Sequence, residues 1–514
     1  MRLPAIHAPL ALALLASPCL AQCGDYVYKI SPPVPSLTTQ FGRAVGLSGG
    51  TILVGEPEAT GLVPISGAAY VYDKASGSQT ATLFPADGVF LQQFGASLDL
   101  DGNLAVIGAW GDPVNGDKSG AAYLYDLSTG SQLFKLVPND GQAGDRFGKD
   151  VAISGTTILV GTYSGRGAYL FDATTGSQIT KLLAPGPAGE YFGFAVALHG
   201  TTAIVGAPGT NTPLEACGIA HVYDATTFAS LGVLRPATPR ASAFFGSTLD
   251  IHNSTAIAGN WPGESWNDKS AHLFDLNSML ETFVLRPLTS SSEDGFGLDV
   301  AITEGRAIVG NSSAYWNDSS WEFPSAHLFD TATGIQLHEY EDDDFTFGDG
   351  FGASVAIEGD SVLVGAPYDY LGGASDDGVY LYDTSAAFAA PGYCDVRLNG
   401  TGQRAIIQAC GSPSISANDF NLTVNWLPNK TYLFFHGRNQ TQSIFGHGFL
   451  CVTGDIIRLG PAQVATGYSG SSTMNLPQEI STPGTRHFQC WFRDSFSWGA
   501  PFNLSNGLSV TFVP

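Results

Sequence analysis

Short apolar runs separated by tight polar turns recur along the chain, and residues 94–126 show the pattern most clearly. Apolar runs at Ala96–Leu100 and Leu104–Ile107 flank Asp101-Gly102, a dipeptide that favours a hairpin because both turn positions tolerate a positive φ. A polar loop and a third apolar run, Ala121–Tyr125, follow. This stretch therefore predicts three antiparallel strands.

The same three-strand pattern occurs seven times. Each copy opens on Phe-Gly, and its third run ends in an aromatic residue followed by Asp. The Phe residues that open the copies are Phe41, Phe94, Phe147, Phe192, Phe245, Phe296 and Phe351. A fourth run, such as Gln132–Val137, is visible in most copies. Four strands in about 50 residues is the period of a propeller blade, so the sequence predicts seven blades.

The seventh copy lacks a fourth run, and Tyr26–Ile30, ahead of the first Phe-Gly, is predicted to supply it and close the ring. The period ends near Pro391, and apolar runs beyond it predict a smaller all-β domain of the sandwich type. The clearest of these runs are Leu422–Trp426, Thr431–Phe435 and Phe488–Phe492. The predicted fold class is all-β, with a seven-bladed β-propeller over 22–390 and a C-terminal β-sandwich over 391–514.

Two copies carry the motif that gives a known family its name. Phe192-Gly193 is followed by Val205-Gly206-Ala207-Pro208, and Phe351-Gly352 is followed by Val364-Gly365-Ala366-Pro367. Residues 24–388 thus resemble the FG-GAP repeat, the propeller repeat also found in integrin α-chains. The chain resembles the secreted bacterial members of this family, and the resemblance implies the propeller fold. It implies little about function because the family is broad.

Many FG-GAP repeats bind calcium in the turn between their first two strands, but the turns of this chain do not fit that role. Turns such as Asp101-Gly102, Ser154-Gly155 and Glu358-Gly359 are short and poor in carboxylates. A calcium ion needs about six or more oxygen ligands. We therefore predict neither a metal site nor a cofactor.

The charge of the chain and its first residues indicate where it works. Its 22 Lys and Arg residues face 46 Asp and Glu residues, giving a net charge of −24, which disfavours nucleic acid and anionic membranes as partners. Residues 1–21 have the basic start, apolar core and small-residue cleavage site of a signal peptide. No later run reaches the roughly 20 apolar residues of a membrane span. We predict a secreted or cell-surface protein and leave its oligomeric state open.

Six cysteines remain after the predicted signal peptide, and an even number in an exported protein indicates disulfides. Pairs Cys451–Cys490 and Cys394–Cys410 would cross-link the C-terminal domain. A rival pair, Cys23–Cys394, would lock the ring. Cys217 lies far from the others in the sequence pattern and is predicted to be free.

One face of the predicted propeller carries the candidate site, because the long loops between second and third strands lie at the same end as the connections between blades. Aromatic side chains are concentrated in these loops, and flat apolar rings suit stacking on sugars or anchoring of a peptide. The predicted ligand-binding residues are Trp110, Tyr163, Trp261, Trp266, Trp316, Trp321, Tyr368 and Tyr370. The alternative is that each ring fills the space under its own loop.

The connections between blades bring acidic residues to the same face. A solvated acidic loop is one interpretation, and a divalent-cation site is the other. The residues are Asp87, Asp140, Asp145, Glu190, Glu293, Asp294, Asp342, Asp343, Asp344 and Asp349.

Signatures of catalysis are scarce in the sequence. It contains no G-x-S-x-G nucleophile elbow, no H-E-x-x-H zinc helix and no Gly-rich phosphate loop opening a helix. The predicted function is therefore a secreted, non-catalytic binding or adhesion protein that recognises an extracellular glycan or protein through the loop face. A polysaccharide hydrolase or lyase using carboxylates on that face, and a structural surface or matrix component, are the alternatives.

Overall fold

A computed structural model describes most of the repeat region and parts of the C-terminal region. The described residues are 25–33, 40–61, 63–164, 167–184, 191–211, 213–260, 270–287, 295–312, 324–341, 350–367, 378–384, 392–393, 406–410, 415–416, 420–425, 430–445, 448–465, 470–473, 480, 483–493, 502–505 and 507–512. Strands are the regular elements of these residues, so none of them belongs to a helix long and apolar enough to cross a membrane.

The described part of the repeat region forms seven four-stranded antiparallel sheets. Its strands are β1 (Asp25–Ile30), β2 (Ala44–Ser48), β3 (Thr51–Glu56), β4 (Ala68–Asp73), β5 (Gln79–Leu83), β6 (Phe94–Asp101), β7 (Leu104–Ala109), β8 (Ala121–Asp126), β9 (Ser131–Leu136), β10 (Val151–Ser154), β11 (Thr157–Val160), β12 (Ala168–Asp172), β13 (Gln178–Leu182), β14 (Val196–His199), β15 (Thr202–Ala207), β16 (Ile219–Asp224), β17 (Ser230–Leu234), β18 (Phe245–His252), β19 (Thr255–Asn260), β20 (Ala271–Asp275), β21 (Leu280–Leu285), β22 (Phe296–Thr303), β23 (Arg306–Asn311), β24 (Ser325–Asp330), β25 (Gln336–Glu341), β26 (Ser354–Glu358), β27 (Ser361–Ala366) and β28 (Gly378–Asp383). Sheet 1 comprises β2–β5, sheet 2 β6–β9, sheet 3 β10–β13, sheet 4 β14–β17, sheet 5 β18–β21, sheet 6 β22–β25, and sheet 7 β26–β28 with β1.

The first strands of the sheets form an inner ring. Strands β2, β6, β10, β14, β18, β22 and β26 contact one another in that order, and β26 also contacts β2. Buried runs such as Leu104–Ala109 fill the second strands because both of their faces are covered, whereas an outer strand such as Ser131–Leu136 is largely accessible. This all-β arrangement is consistent with a β-propeller.

The Phe-Gly pair joins each sheet to the one before it. Phe94 is buried and packs edge-on against Tyr123 and Tyr125, with ring centroids 5.5 and 5.9 Å apart. Gly95 has a φ of 91°, and a Cβ there would press on the carbonyl oxygen of Ala68 in sheet 1. Phe therefore fills the space between two sheets, and Gly permits the close approach of their backbones.

Two histidines of the third strands pack against aromatic rings. His221 and His327 lie edge-on to the Phe of the Phe-Gly pair in their own sheets, with centroids 5.4 and 5.3 Å apart. Burial lowers the pKa of His221 to about 4 and that of His327 to about 3. Both imidazoles are therefore neutral at pH 7, and that of His327 also forms a hydrogen bond with the Ser325 hydroxyl at 3.0 Å.

The Asp that ends each third strand caps a turn. In sheet 2, Asp126 accepts hydrogen bonds from the backbone N–H and the hydroxyl of Ser128, at 2.9 and 2.6 Å. These bonds hold the pKa of Asp126 below its usual value. Gly130, four residues on, has a φ of 69° and donates its N–H to the Asp126 carbonyl, which closes the turn.

Sheet 7 takes its outer strand from the other end of the chain. Strand β1 pairs antiparallel with β28, with Tyr26 opposite Tyr382 and Ile30 opposite Val379. This is the pairing that the sequence predicts for Tyr26–Ile30. The outer edge of β28 is thereby covered.

Beyond residue 391 the described strands form three further sheets. They are β29 (Gly392–Tyr393), β30 (Ile406–Cys410), β31 (Asn421–Asn425), β32 (Thr431–Gly437), β33 (Asn439–Phe445), β34 (Gly448–Thr453), β35 (Ile457–Val464), β36 (Gly470–Thr473), β37 (Gly484–Arg493), β38 (Phe502–Leu504) and β39 (Gly507–Phe512). One sheet has the order β29-β39-β37-β32-β35 with β38 on β37, another the order β30-β31-β36, and β33 pairs with β34. The first two sheets share one buried core, in which Leu422 and Val424 meet Phe434, Phe488 and Phe512.

The structure corrects one predicted disulfide. Cys490 is a buried free thiol, so the predicted Cys451–Cys490 pair is wrong. Neighbouring residues of a strand point to opposite faces. Gln489 reaches the Cys451 sulfur at 3.1 Å, so Cys490, the next residue of β37, faces the core on the other side. Cys451 is disulfide-bonded, and its partner lies outside the described side chains, as do Cys23, Cys394 and the side chain of Cys410. Cys217 is free, as predicted.

Cys217 and Cys490 are expected to resist thiol reagents until the protein unfolds. Both side chains are buried, and burial raises the pKa of the Cys490 thiol, which suppresses the reactive thiolate. Mass spectrometry after brief alkylation should show neither residue labelled in buffer and both labelled in denaturant. Labelling of Cys490 in native protein would contradict its position in the core.

Candidate functional site

The candidate site lies at the end of the sheets where the second-to-third loops and the connections between sheets meet, which we call the loop end. The connections enter the first strands through an unusual backbone conformation. The residue before Phe-Gly has a positive φ in six sheets. It is Gly350 (74°) in one of them and a non-Gly residue in the other five, at Gln40 (58°), Gln93 (60°), Arg146 (50°), Tyr191 (56°) and Phe244 (49°). A left-handed non-Gly residue costs about 1–2 kcal/mol, so these five side chains are held at the loop end against a local preference.

A continuous stack of rings and cations crosses sheets 2, 3 and 4 at the loop end. The guanidinium carbon of Arg146 lies 5.2 Å from the ring centroid of Trp110 and 4.7 Å from that of Tyr163. The Tyr163 ring in turn lies 5.5 Å from Tyr191 and 5.7 Å from Phe194. Contacts of this kind are favourable by about 0.5–1.5 kcal/mol each.

Lys149 completes this stack, with its ammonium 4.7 Å from the Phe194 ring centroid. We call the set Trp110, Arg146, Lys149, Tyr163, Tyr191 and Phe194 the mouth cluster. Phe194 is buried, Trp110 and Tyr163 are half-buried, and Tyr191 is 40% exposed. The mouth cluster therefore has a buried part at Phe194 and a solvent-accessible ring at Tyr191.

The loop that carries Trp110 is anchored by a buried carboxylate. Asp112 accepts hydrogen bonds from Tyr123 at 2.7 Å, from Gln92 at 2.6 Å and from the backbone N–H of Val114 at 2.8 Å. The Lys135 ammonium lies 2.9 Å from the Asp112 carboxylate and neutralises its charge. The loop next to Trp110 is thus fixed before any ligand arrives, which lowers the entropic cost of binding.

Backbone hydrogen bonds join the three loops of the mouth cluster. The N–H of Arg146 donates to the carbonyl of Lys118, in the Trp110 loop, at 3.0 Å. The N–H of Tyr163 donates to the carbonyl of Asp145 at 3.1 Å. Trp110, Arg146 and Tyr163 therefore keep their spacing through the backbone as well as through their side chains.

Three cations converge on this end of the inner ring. Arg43 of sheet 1 and Lys149 of sheet 3 occupy the same repeat position, two residues after the Phe. Burial lowers the pKa of Lys149 to about 8, and repulsion by Arg43 and Arg146 contributes, while Asp150 and Asp299 oppose the shift. Lys149 therefore lies close enough to Arg43 and to Arg146 to be repelled by both charges.

Further along the inner ring, carboxylates join adjacent first strands. Asp99 accepts the N–H of Leu100 and, at 2.7 Å, that of Ile153 in the next sheet. Asp150, Asp250 and Asp299 accept the N–H groups of Val196, Ile302 and Val355 in the same way. Burial raises the pKa of Asp99, Asp250 and Asp299 to about 7. These acids satisfy backbone groups that the β-ladders leave unpaired.

The predicted acids that the structure describes have structural partners. Asp87 accepts bonds from Lys135 and Tyr123, at 2.5 and 2.9 Å. Asp140 pairs with a lysine and a tyrosine of the next sheet in the same way. Asp145 is buried and accepts the N–H of Gln142. Among the described residues, no group of three His, Cys, Asp or Glu side chains could hold a metal ion. The remaining predicted acids lie outside the described residues.

Of the predicted ligand-binding residues, the structure describes Trp110 and Tyr163 and brings both into contact with Arg146. The others lie outside the described residues, namely Trp261, Trp266, Trp316, Trp321, Tyr368 and Tyr370. The sequence reasoning missed Arg146, Lys149, Tyr191 and Phe194. Their signal is positional, because each lies one residue before or two residues after the Phe of a Phe-Gly pair.

Comparison with known families agrees with this geometry. The family described as FG-GAP repeat matches residues 78–125, 131–172, 176–223 and 341–382. The chain therefore contains FG-GAP repeats. Each FG-GAP match begins at or near the outer strand of one sheet and ends at the third strand of the next, so the sequence repeat is one strand out of phase with the sheets. A comparison with curated proteins found no match.

Proposed function

We propose that this FG-GAP repeat protein is a secreted, non-catalytic binding protein that recognises an extracellular carbohydrate or protein through the mouth cluster. The observation that carries the proposal is the stack of Trp110, Arg146 and Tyr163, which joins the loops of two sheets in a fixed geometry. FG-GAP repeats are often found in binding or adhesion proteins. Rigid aromatic rings provide contact area at a low entropic cost, which suits sugar rings and peptide anchors.

The proposal includes an organisation for the whole chain. Residues 1–21 are a signal peptide, 22–390 a closed seven-bladed propeller and 391–514 a C-terminal β-sandwich. The contacts of β26 with β2 support closure of the ring, and the core shared by two sheets supports the sandwich. An extracellular or cell-surface location is in keeping with the family and with the predicted signal peptide.

Alanine variants of Trp110 and Tyr163 test the proposed site. In a glycan array and in binding assays with the glycans that it identifies, we expect each variant to lose at least about tenfold in affinity. Phe228→Ala is the matched control, because Phe228 is 39% exposed in the turn after a third strand, at the opposite end of sheet 4. It should bind as the unmodified protein does.

Two outcomes would contradict the proposal. Unchanged ligand binding by both Trp110→Ala and Tyr163→Ala would exclude the mouth cluster as the site. Turnover of a polysaccharide by the purified chain would contradict a non-catalytic role and favour a hydrolase or lyase.

A further inference from the structure

The mouth cluster gathers positive charge in a protein that is strongly acidic. The chain has 22 basic residues against 46 acidic ones, yet Arg43, Arg146 and Lys149 meet at one end of the inner ring. Like charges placed together raise the free energy of the folded protein unless something compensates them. The question is therefore which group neutralises them.

Two other cations at the loop end, Lys135 and Lys181, have carboxylate partners. Lys135 pairs with Asp87 and Asp112 at 2.5 and 2.9 Å, and Lys181 pairs with Asp140 at 2.7 Å. Within the described residues, Arg43, Arg146 and Lys149 have no hydrogen bond or ion pair to a carboxylate through their side chains. Arg43 and the two cations of the mouth cluster thus differ from Lys135 and Lys181.

The nearest acids cannot easily supply that partner. Asp150 already accepts the N–H groups of Val151 and Val196, at 3.0 and 2.8 Å. Asp299 accepts those of Val300 and Val355, at 3.0 and 2.8 Å. Turning either carboxylate toward Lys149 would leave backbone donors of the inner ring unsatisfied, at a cost of about 1–3 kcal/mol each. An anion from outside the chain would compensate the cations without that loss.

We infer that the mouth cluster binds the acidic group of a glycan, a carboxylate or a sulfate, between Arg43, Arg146 and Lys149, with a sugar ring against the exposed edge of the aromatic stack. This inference rests on the proposed binding function and narrows its ligand class. A guanidinium presents paired N–H donors that match two oxygens of a carboxylate or sulfate. The exposed Tyr191 ring beside these cations gives a pyranose apolar contact in addition to the interaction of its acidic group.

Calorimetry with matched ligands tests the inference on the full chain. Oligogalacturonate and its methyl ester share a backbone and differ in charge, and a sulfated galactan with its desulfated form provides the sulfate arm. We expect at least one acidic ligand to bind tenfold or more tightly than its neutral form, with an affinity that falls as salt is added. The arm that shows this preference identifies the acidic group.

Removal of single charges locates the effect. Arg43→Gln and Lys149→Gln should each weaken binding of the acidic ligand about tenfold and reduce its preference over the neutral form. Arg43→Gln should melt at the same temperature as the unmodified protein or higher, because it removes repulsion. Lys149→Gln also loses its contact with the Phe194 ring, and circular dichroism should show that it is folded at the assay temperature. Lys74→Gln is the charge-matched control, since Lys74 lies at the other end of sheet 1 and contacts Glu358 at 3.7 Å. It should leave binding unchanged.

The outcomes separate the inference from the proposed function. Equal binding of acidic and neutral glycans, lost in Trp110→Ala but not in Arg43→Gln, would overturn the inference and leave the binding function standing. Preferential binding of a poly-glutamate peptide would replace the glycan by a protein ligand. Absence of binding to every glycan and peptide would overturn both.

Discussion

Replacing Gly120 with alanine is expected to lower the free energy of unfolding by about 3 kcal/mol. Gly120 has a φ of 85°, and a Cβ at this position would overlap the carbonyl oxygen and the nitrogen of Phe147 in the next sheet. The variant therefore incurs both backbone strain and a clash between two main chains, which side-chain movement cannot relieve. Chemical denaturation followed by circular dichroism measures the change.

Gly102→Ala in the same sheet separates these two causes. Gly102 also has a positive φ, 58°, but an added Cβ would have no neighbour within 4 Å. Its loss should be only about 1 kcal/mol, the cost of the left-handed conformation alone. If Gly120→Ala is as mild as Gly102→Ala, the contact between neighbouring sheets is softer than the structure indicates.

The free energy of unfolding of Asp99→Asn, measured relative to that of the unmodified protein, is expected to rise between pH 5 and pH 8. The pKa of Asp99 is about 7 in the folded protein, above its usual value of 3.8, chiefly because of burial. Between these values the folded state holds a proton that the unfolded state has released, so this group's contribution to stability falls as the pH rises from about 4 to about 7. An amide cannot ionise and removes that pH dependence.

The measurement is the difference in unfolding free energy between Asp99→Asn and the unmodified protein at pH 5 and at pH 8. Asp126→Asn is the control, because hydrogen bonds from Ser128 lower the pKa of Asp126. Asp126 stays ionised in the folded and the unfolded protein across this range. The difference in unfolding free energy between Asp126→Asn and the unmodified protein should therefore not change with pH. A constant difference for Asp99→Asn as well would mean that Asp99 is already ionised at pH 5.

The features that could be predicted from sequence are those fixed within one repeat. The Phe-Gly pair, the alternation of strand and turn and the Asp126 cap each depend on residues a few positions apart, so a regular period reveals them. Recognition of the FG-GAP repeat followed from the same local signals and is confirmed by the family match.

The mouth cluster could be predicted only in part because it depends on which loops meet in space. Trp110 and Tyr163 belong to different repeats, and nothing in their spacing shows that Arg146 lies between them. The carboxylates of the inner ring were missed for another reason. Asp99 is five residues after its Phe and Asp150 only three after its own, yet both face the next sheet because alternate residues of a strand share a side. Because carboxylates with the same role stand at different distances from the Phe, they do not recur at a regular interval in the sequence.

The pairing of β1 with β28 also sets the order in which the molecule can be completed. Sheets 1 to 6 are built from consecutive strands, so each can form soon after its last strand is synthesised. Strand β1 emerges first but has no partner until Gly378–Asp383 has been made. The first segment of the repeat region to leave the ribosome is therefore the last to find its place. Throughout synthesis, the nascent chain must keep an unpaired strand, Asp25–Ile30, from pairing elsewhere.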